Sequence, residues 1–85
     1  MKSFRYTITD KIGIHARPAG LLVKEAQKYK SKITVSVGDR SVSATGLMGI
    51  MSLGVRGGQT VEILADGEDE EAALEGMKRF FEQNL

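Results

Sequence analysis

One short segment, Gly13-Ile14-His15-Ala16-Arg17-Pro18-Ala19, contains the residues of this chain that are best suited to chemistry. His15 is the only histidine, and imidazole is the side chain that can act as an acid, a base or a nucleophile near neutral pH. Arg17 carries a planar cation that suits the oxygens of a phosphate group. Pro18, the only proline, favours the first turn of a helix, because its missing N–H would lack a partner there anyway.

The spacing of these residues predicts a phosphate site at the start of a helix. His15 would occupy the N-cap region, and the backbone N–H groups of Ala16 and Arg17 would point outward with partial positive charge. A phosphoryl group on a nitrogen of His15 would then be held by these N–H groups and by the Arg17 side chain. A histidine near a helix start can also be a plain polar cap beside a solvated arginine, and the spacing alone leaves both interpretations open.

The composition excludes several other kinds of site in this chain of 85 residues. There is no cysteine, so disulfides, thiolate metal ligands and cysteine nucleophiles are absent. A single histidine excludes a cluster of histidine metal ligands. One modest core and no deep pocket are expected at this size, which argues against a stand-alone enzyme.

The charges divide the chain into a basic body and an acidic end. Residues 1–56 contain ten Lys and Arg residues and three acids, whereas residues 57–85 contain two basic residues and eight acids. The net charge of +1 is too small to indicate nucleic-acid binding. The basic part could meet an acidic partner, or both halves could be ordinary solvated surface. No apolar run resembles a secretory signal or a transmembrane segment, so we expect a cytoplasmic protein.

Hydrophobic periodicity predicts seven elements in the order βαββαβα. Alternating apolar residues predict strands at residues 2–9, 32–37, 40–44 and 60–65, the third of them polar and at a sheet edge. Apolar residues at helical spacing predict helices from residue 16, over 47–53 and from residue 68. The turn at Gly38-Asp39 makes its two strands antiparallel. We therefore expect one domain, residues 1–85, of the α+β class, with an open sheet and helices on one side.

The segment around His15 resembles the active-site signature of HPr, the histidine-containing phosphocarrier family of the phosphoenolpyruvate-dependent sugar phosphotransferase system (PTS). The stretch from Leu47 to Gly54, Leu-Met-Gly-Ile-Met-Ser-Leu-Gly, resembles the second signature of that family. The length and the element order also match, so the resemblance covers essentially the whole chain. It implies an open-faced β-sandwich, in which a four-stranded antiparallel sheet carries three helices on one side.

The resemblance implies a stoichiometric phosphoryl carrier and not an enzyme. His15 would accept a phosphoryl group on its δ1 nitrogen from phosphorylated enzyme I and pass it to enzyme IIA domains of sugar permeases. The residue that matches Arg17 assists this transfer in the family. The carrier itself requires no metal and no cofactor, and we expect a monomer. The alternative is an HPr-like regulatory module that acts on transcription factors or enzymes and not in sugar transport.

Two helices are expected to form the docking surface for these partners. In the second helix, Ile50 and Leu53 can reach the core, which leaves three other apolar side chains on a different face, although composition alone also allows all five to be buried. The resemblance carries the family's contact positions over to this chain. They are Arg17, Gly20, Lys24 and Gln27 on the first helix and Leu47, Met48 and Met51 on the second.

Position 46 departs from the family pattern, because many members have a serine there that a bifunctional HPr kinase/phosphorylase phosphorylates from ATP. Gly46 has no hydroxyl, so we predict that this regulation is absent. Thr45 and Ser43 are nearby hydroxyls, but a neighbouring position presents its oxygen differently. Gly46 also lacks a side chain that could cap the second helix. Gly20, where alanine is common in the family, weakens the helix propensity of the first.

Overall fold

The sheet contains four antiparallel strands, and the computed structural model describes all residues, 1–85. The strands are β1 (Lys2–Thr7), β2 (Lys32–Val37), β3 (Arg40–Ser43) and β4 (Thr60–Asp66). The helices are α1 (Ala16–Ala26), α2 (Leu47–Ser52) and α3 (Glu70–Asn84). The predicted order βαββαβα is confirmed, and so is the four-stranded antiparallel sheet with three helices. None of these helices is long and apolar enough to cross a membrane.

The end of β1 differs from its predicted boundary, and this difference affects the segment that leads to His15. The strand ends at Thr7 and not at residue 9 as predicted, because the chain turns toward its other end. The backbone N–H groups of Thr9 and Asp10 donate to the carbonyl oxygen of Leu85 at 2.6 and 2.8 Å. A strand prediction from alternation cannot detect this change of partner, since Ile8 continues the apolar pattern and is buried.

The strand order of the sheet is β1-β4-β2-β3, so β4 and β2 are central. Ile63 of β4 lies opposite Phe4 on one side and Val35 on the other. The polar strand β3 pairs only with β2, as predicted for an edge strand. The last strand of the chain therefore lies between the first two, and only long-range pairing completes the sheet.

One face of the sheet is covered and the other is open. Val61, Ile63 and Ala65 of β4 are fully buried, whereas Thr60 and Asp66 at the strand ends are exposed. The helices pack on the buried side, where α3 contacts β1 and β4. Hydroxyl groups line the open face, among them those of Thr7 and Thr60, which lie 2.8 Å apart.

Asp69 ties the segment before β2 to the start of α3. Its carboxylate accepts hydrogen bonds from the backbone N–H groups of Lys30 and Ser31, each at 2.8 Å, and from the Ser31 hydroxyl. The bond from the Ser31 hydroxyl, followed by that from the Lys30 N–H, lowers the pKa of Asp69 below its ordinary value. The helix begins at Glu70, directly after this residue and two residues later than predicted.

The lowered pKa of Asp69 predicts stability that is lost in acid. The group titrates near 3.8 in the unfolded chain. Above that pH the hydrogen bonds of the Asp69 carboxylate contribute in full to the free energy of unfolding. As the pH falls toward the lower pKa of the folded state, the unfolded chain takes up the proton first, and this contribution is lost. We expect Asp69→Asn to lose less of its free energy of unfolding than the wild type between about pH 5 and about pH 2. Urea unfolding across this range measures the loss, and equal losses in both proteins would contradict the prediction.

Gly20 is an interior position of α1 where a larger residue fits. A Cβ atom built on Gly20 meets no other atom within 4 Å. Because alanine has the higher helix propensity, Gly20→Ala should raise the free energy of unfolding by about 1 kcal/mol. Gly49 of α2 is the matched control, since a Cβ there would lie 3.3 Å from the Cβ of Val42 and crowd it. Thermal unfolding should show a gain for Gly20→Ala and a smaller gain or a loss for Gly49→Ala.

Candidate functional site

The loop that leads to His15 is held by hydrogen bonds to two distant parts of the chain. The N–H of Ile14 donates to the carbonyl oxygen of Val55 at 3.0 Å. The hydroxyl of Thr9 donates to the carbonyl oxygen of Leu85 at 2.8 Å, beside the backbone bonds that this oxygen also accepts. The start of α1 is therefore fixed by the loop after α2 and by the end of α3.

Gly13 makes the turn into α1 possible. Its φ angle is +84°, in the left-handed region that favours glycine. A Cβ atom at this position would lie 2.1 Å from the carbonyl oxygen of Val55. Both the backbone conformation and the close approach therefore require glycine here.

His15 is the N-cap residue of α1, as predicted. Its backbone is extended, with φ −97° and ψ −173°, and its side chain makes no capping hydrogen bond. Its carbonyl oxygen accepts the first helical hydrogen bond, from Ala19 at 2.9 Å. The N–H groups of Ala16 and Arg17 precede that bond and have no helical acceptor. The ring is thus half-exposed beside free N–H groups, and the polar-cap interpretation does not describe it.

Arg17 lies beside His15 and is free to bind an anion. Its side chain is exposed, and none of the five ion pairs of the protein includes it. Pro18 is buried in the first turn of α1 and fixes the direction of the helix start. His15 and Arg17 line the same open depression of about 250 Å³. Its lining residues are Asp10, His15, Arg17, Pro18, Leu21 and Asn84.

Three of these lining residues are not indicated as site residues by the sequence. Asp10 closes a small turn in which its Oδ1 accepts the N–H of Ile12 at 2.9 Å, and the Asp-Lys-Ile-Gly segment could have signalled that turn. Leu21 is 41% exposed on α1. Asn84 comes from the far end of α3, where its side chain donates to the Phe80 carbonyl at 3.0 Å. Nothing in local sequence places α3 next to the start of α1.

The second helix exposes the apolar side chains that were expected on its outer face. Leu47, Met48 and Met51 are 42%, 80% and 42% exposed. Ile50 and Leu53 point into the core and are 0% and 6% exposed, which confirms the division of this helix into two faces. On the neighbouring helix α1, Lys24 is exposed and lies on the same face as the half-buried Gly20, and the exposed C-cap residue Gln27 follows on that face. Helices α1 and α2 contact each other.

The N-cap of α2 is Gly46, which makes no side-chain capping bond. A Cβ atom built on it meets only the carbonyl oxygen of Ser43, at an ordinary distance of 3.7 Å. A serine would therefore fit at this position. The hydroxyls of Ser43 and Thr45 lie 2.9 Å apart and are hydrogen-bonded to each other.

Comparison with known proteins gives consistent matches over nearly the whole chain. A family model described as the PTS HPr component phosphorylation site matches residues 2–83. The phosphocarrier protein HPr of Mycoplasma genitalium is 42% identical over 85 residues, with 99% of this chain and 97% of that protein covered. The crystal structure of HPr from Thermoanaerobacter tengcongensis superposes with a TM-score of 0.93 at 43% identity, covering 98% and 93% of the two chains.

A related protein with another described role also matches. Crh of Bacillus subtilis, a catabolite repression protein, superposes with a TM-score of 0.79 at 35% identity, covering 100% of this chain and 98% of that one. Its crystal structure is described as a dimer with a swapped domain. The fold is thus shared by phosphocarriers and by a protein of catabolite repression. The matching family model, the HPr relative and the near-complete structural overlap show that the chain belongs to the HPr family, the phosphocarrier proteins of the phosphotransferase system.

Proposed function

We propose that this protein carries a phosphoryl group on His15 from phosphorylated enzyme I to enzyme IIA domains of sugar permeases. The observation that supports this most directly is the position of His15 at the N-cap of α1, uncapped and half-exposed beside an unpaired Arg17. The group originates in phosphoenolpyruvate, and the carrier returns to its starting state after each cycle. Each chain takes one phosphoryl group from its donor and gives it to its acceptor, so we propose a stoichiometric carrier and not an enzyme, which acts in the cytoplasm.

Transfer to His15 requires positioning and charge stabilisation. The δ1 nitrogen of His15 attacks phosphorus in line with the leaving atom of the phosphorylated donor, so an N–P bond forms on His15 while the bond from phosphorus to the donor breaks. The N–H groups of Ala16 and Arg17 and the Arg17 guanidinium face the oxygens on which charge accumulates. The depression is open to solvent and contains few positive groups. Such a site holds the phosphoryl group without trapping it, as a relay requires.

Phosphorylation by enzyme I tests this proposal. Incubation with enzyme I and radiolabelled phosphoenolpyruvate should add one acid-labile phosphoryl group per chain, and His15→Ala should take none. Arg17→Gln, which keeps the histidine, should slow the transfer. Mapping the modified residue by mass spectrometry identifies the acceptor. Failure of the wild-type protein to accept the group would overturn the proposal.

Partners would dock on the surface formed by α1 and α2. Met-rich apolar patches adapt to several binding partners, and the exposed side chain of Lys24 complements an acidic partner face. We propose that one surface serves both enzyme I and enzyme IIA, because each must reach His15. We also propose that the protein is a monomer, which light scattering during size-exclusion chromatography tests. A dimer like that described for Crh would contradict this.

Regulatory phosphorylation of the second helix is proposed to be absent. The site would require a hydroxyl at position 46, and Gly46 has none. Incubation with ATP and an HPr kinase should give no product, whereas Gly46→Ser, which fits the structure, should restore a substrate. Modification of Thr45 in the wild type would contradict this proposal.

The likeness to Crh supports a second candidate function, that of a regulatory module acting on transcription factors or enzymes. The presence of His15, Arg17 and Pro18 together favours the carrier, because a pure binding module needs no phosphate site. Affinity capture distinguishes the two functions. Recovery of a transcription factor without any enzyme IIA, from a protein that enzyme I does not phosphorylate, would favour the regulatory module.

A further inference from the structure

We propose that the carboxylate of Asp10 repels a phosphoryl group on His15 and so keeps the phosphorylated carrier ready to give that group away. The inference rests on the proposed function. It assigns to a residue of the β1–α1 loop a role in the energy of the phosphorylated state, in addition to its structural role.

Asp10 brings an acidic side chain to the depression that His15 and Arg17 also line. Asp10 is the only carboxylate residue among the six that line the depression containing His15 and Arg17. Its Oδ1 accepts the N–H of Ile12 at 2.9 Å, and its Oδ2 has no hydrogen-bond partner in the protein. No ion pair neutralises it. The side chain is held in place by its turn while its charge remains uncompensated.

The charge of the product makes this position important. A phosphoryl group adds about two negative charges, which Arg17 and the helix N–H groups attract. If Arg17 and the helix N–H groups were the only charged or polar groups acting on the phosphoryl group, they would stabilise the phosphorylated form. The phosphorylated carrier would then have a lower tendency to pass the group on. A carboxylate of a residue that lines the same depression offsets part of that attraction, and salt screens this repulsion because the depression is open.

The test is the equilibrium constant of the reaction phosphoenolpyruvate plus carrier to pyruvate plus phosphorylated carrier, with catalytic amounts of enzyme I. An equilibrium does not depend on how well the enzyme docks, so it isolates the energy of the phosphorylated state. Asp10→Asn keeps the Oδ1 acceptor for Ile12 and removes only the charge. We expect its equilibrium to shift toward the phosphorylated carrier by about threefold to tenfold at low salt, with a smaller shift at about 1 M salt.

The matched control is Glu68→Gln, which removes one exposed carboxylate from the turn before α3. That turn follows Asp66, at the end of β4 that pairs with the first residues of β1. The His15 loop follows the other end of β1, so the length of β1, roughly 20 Å, separates Glu68 from that loop. Its equilibrium constant should equal that of the wild type. Thermal unfolding should show that Asp10→Asn remains folded, while Asp10→Ala, which also loses the turn bond, should be less stable.

The outcomes separate this inference from the proposed function. A wild-type protein that takes no phosphoryl group would overturn both. Normal phosphorylation of the wild type with an unchanged equilibrium in Asp10→Asn would overturn the role of Asp10 alone. An equal shift in Glu68→Gln, or a shift that salt does not reduce, would also overturn it, because neither result fits a local charge.

Discussion

Gly13→Ala should lower the free energy of unfolding by about 3 kcal/mol and should strongly reduce phosphorylation of His15. Two effects add at this position. An alanine at φ +84° is strained, and its Cβ would lie 2.1 Å from the carbonyl oxygen of Val55, which is backbone and cannot rotate away. Relief requires the loop to move, and the loop carries His15 at the start of α1. Urea unfolding and the rate of phosphorylation by enzyme I measure the two losses.

Gly58→Ala separates the two effects. Gly58 has a similar φ of +91°, but a Cβ there meets no other atom within 4 Å. In this variant, backbone strain alone should lower the free energy of unfolding, by about 1 kcal/mol. Its His15 should be phosphorylated normally. If Gly13→Ala were no less stable than Gly58→Ala, the contact with Val55 would not be what requires glycine at position 13.

Met48→Asp is expected to leave the fold intact and to impair docking. The side chain is 80% exposed, so the substitution buries no charge in the free protein. In a complex, however, an aspartate would be placed in an apolar contact, and the loss of a central contact of this kind costs about 2 kcal/mol, or roughly a thirtyfold weaker interaction. The Michaelis constant of enzyme I for the carrier should rise accordingly, while the thermal unfolding temperature stays the same.

The control for added charge is Ser41→Asp. Ser41 is exposed, and its hydroxyl lies 2.7 Å from that of Ser36 on the open face of the sheet, away from the helices. This variant carries the same extra negative charge, and its Michaelis constant should match that of the wild type. An unchanged Michaelis constant in Met48→Asp would show that α2 does not contact enzyme I.

Local patterns in the sequence predict most of this fold. The switch from a period of two to a helical period after Gly13 locates α1, and the split of the second helix into a buried and an exposed face follows from the spacing of Ile50 and Leu53. The order of the strands in the sheet does not follow, because periodicity contains no information on which strands pair. That order brings β4 between β1 and β2, and the resemblance to the HPr family implies it only indirectly.

The candidate site is predictable to the extent that it is local. His15, Arg17 and Pro18 lie within four residues, so their shared position at a helix start can be read from the sequence. Asn84 enters the same depression from the other end of the chain. Asn84 lies near His15 only because α3 packs against α1, and no local sequence pattern predicts that contact.

The hydrogen bonds that anchor the His15 loop determine when this site can exist during synthesis. The N–H of Ile14 binds Val55, and that of Asp10 binds Leu85, so the helix start receives its last support from residues that leave the ribosome long after it does. β1 likewise waits for β4 to complete the sheet. A nascent chain therefore exposes its histidine without the folded helix start at which we propose that phosphate binds. If His15 accepts phosphoryl groups as proposed, incomplete chains should be poorer acceptors than folded ones.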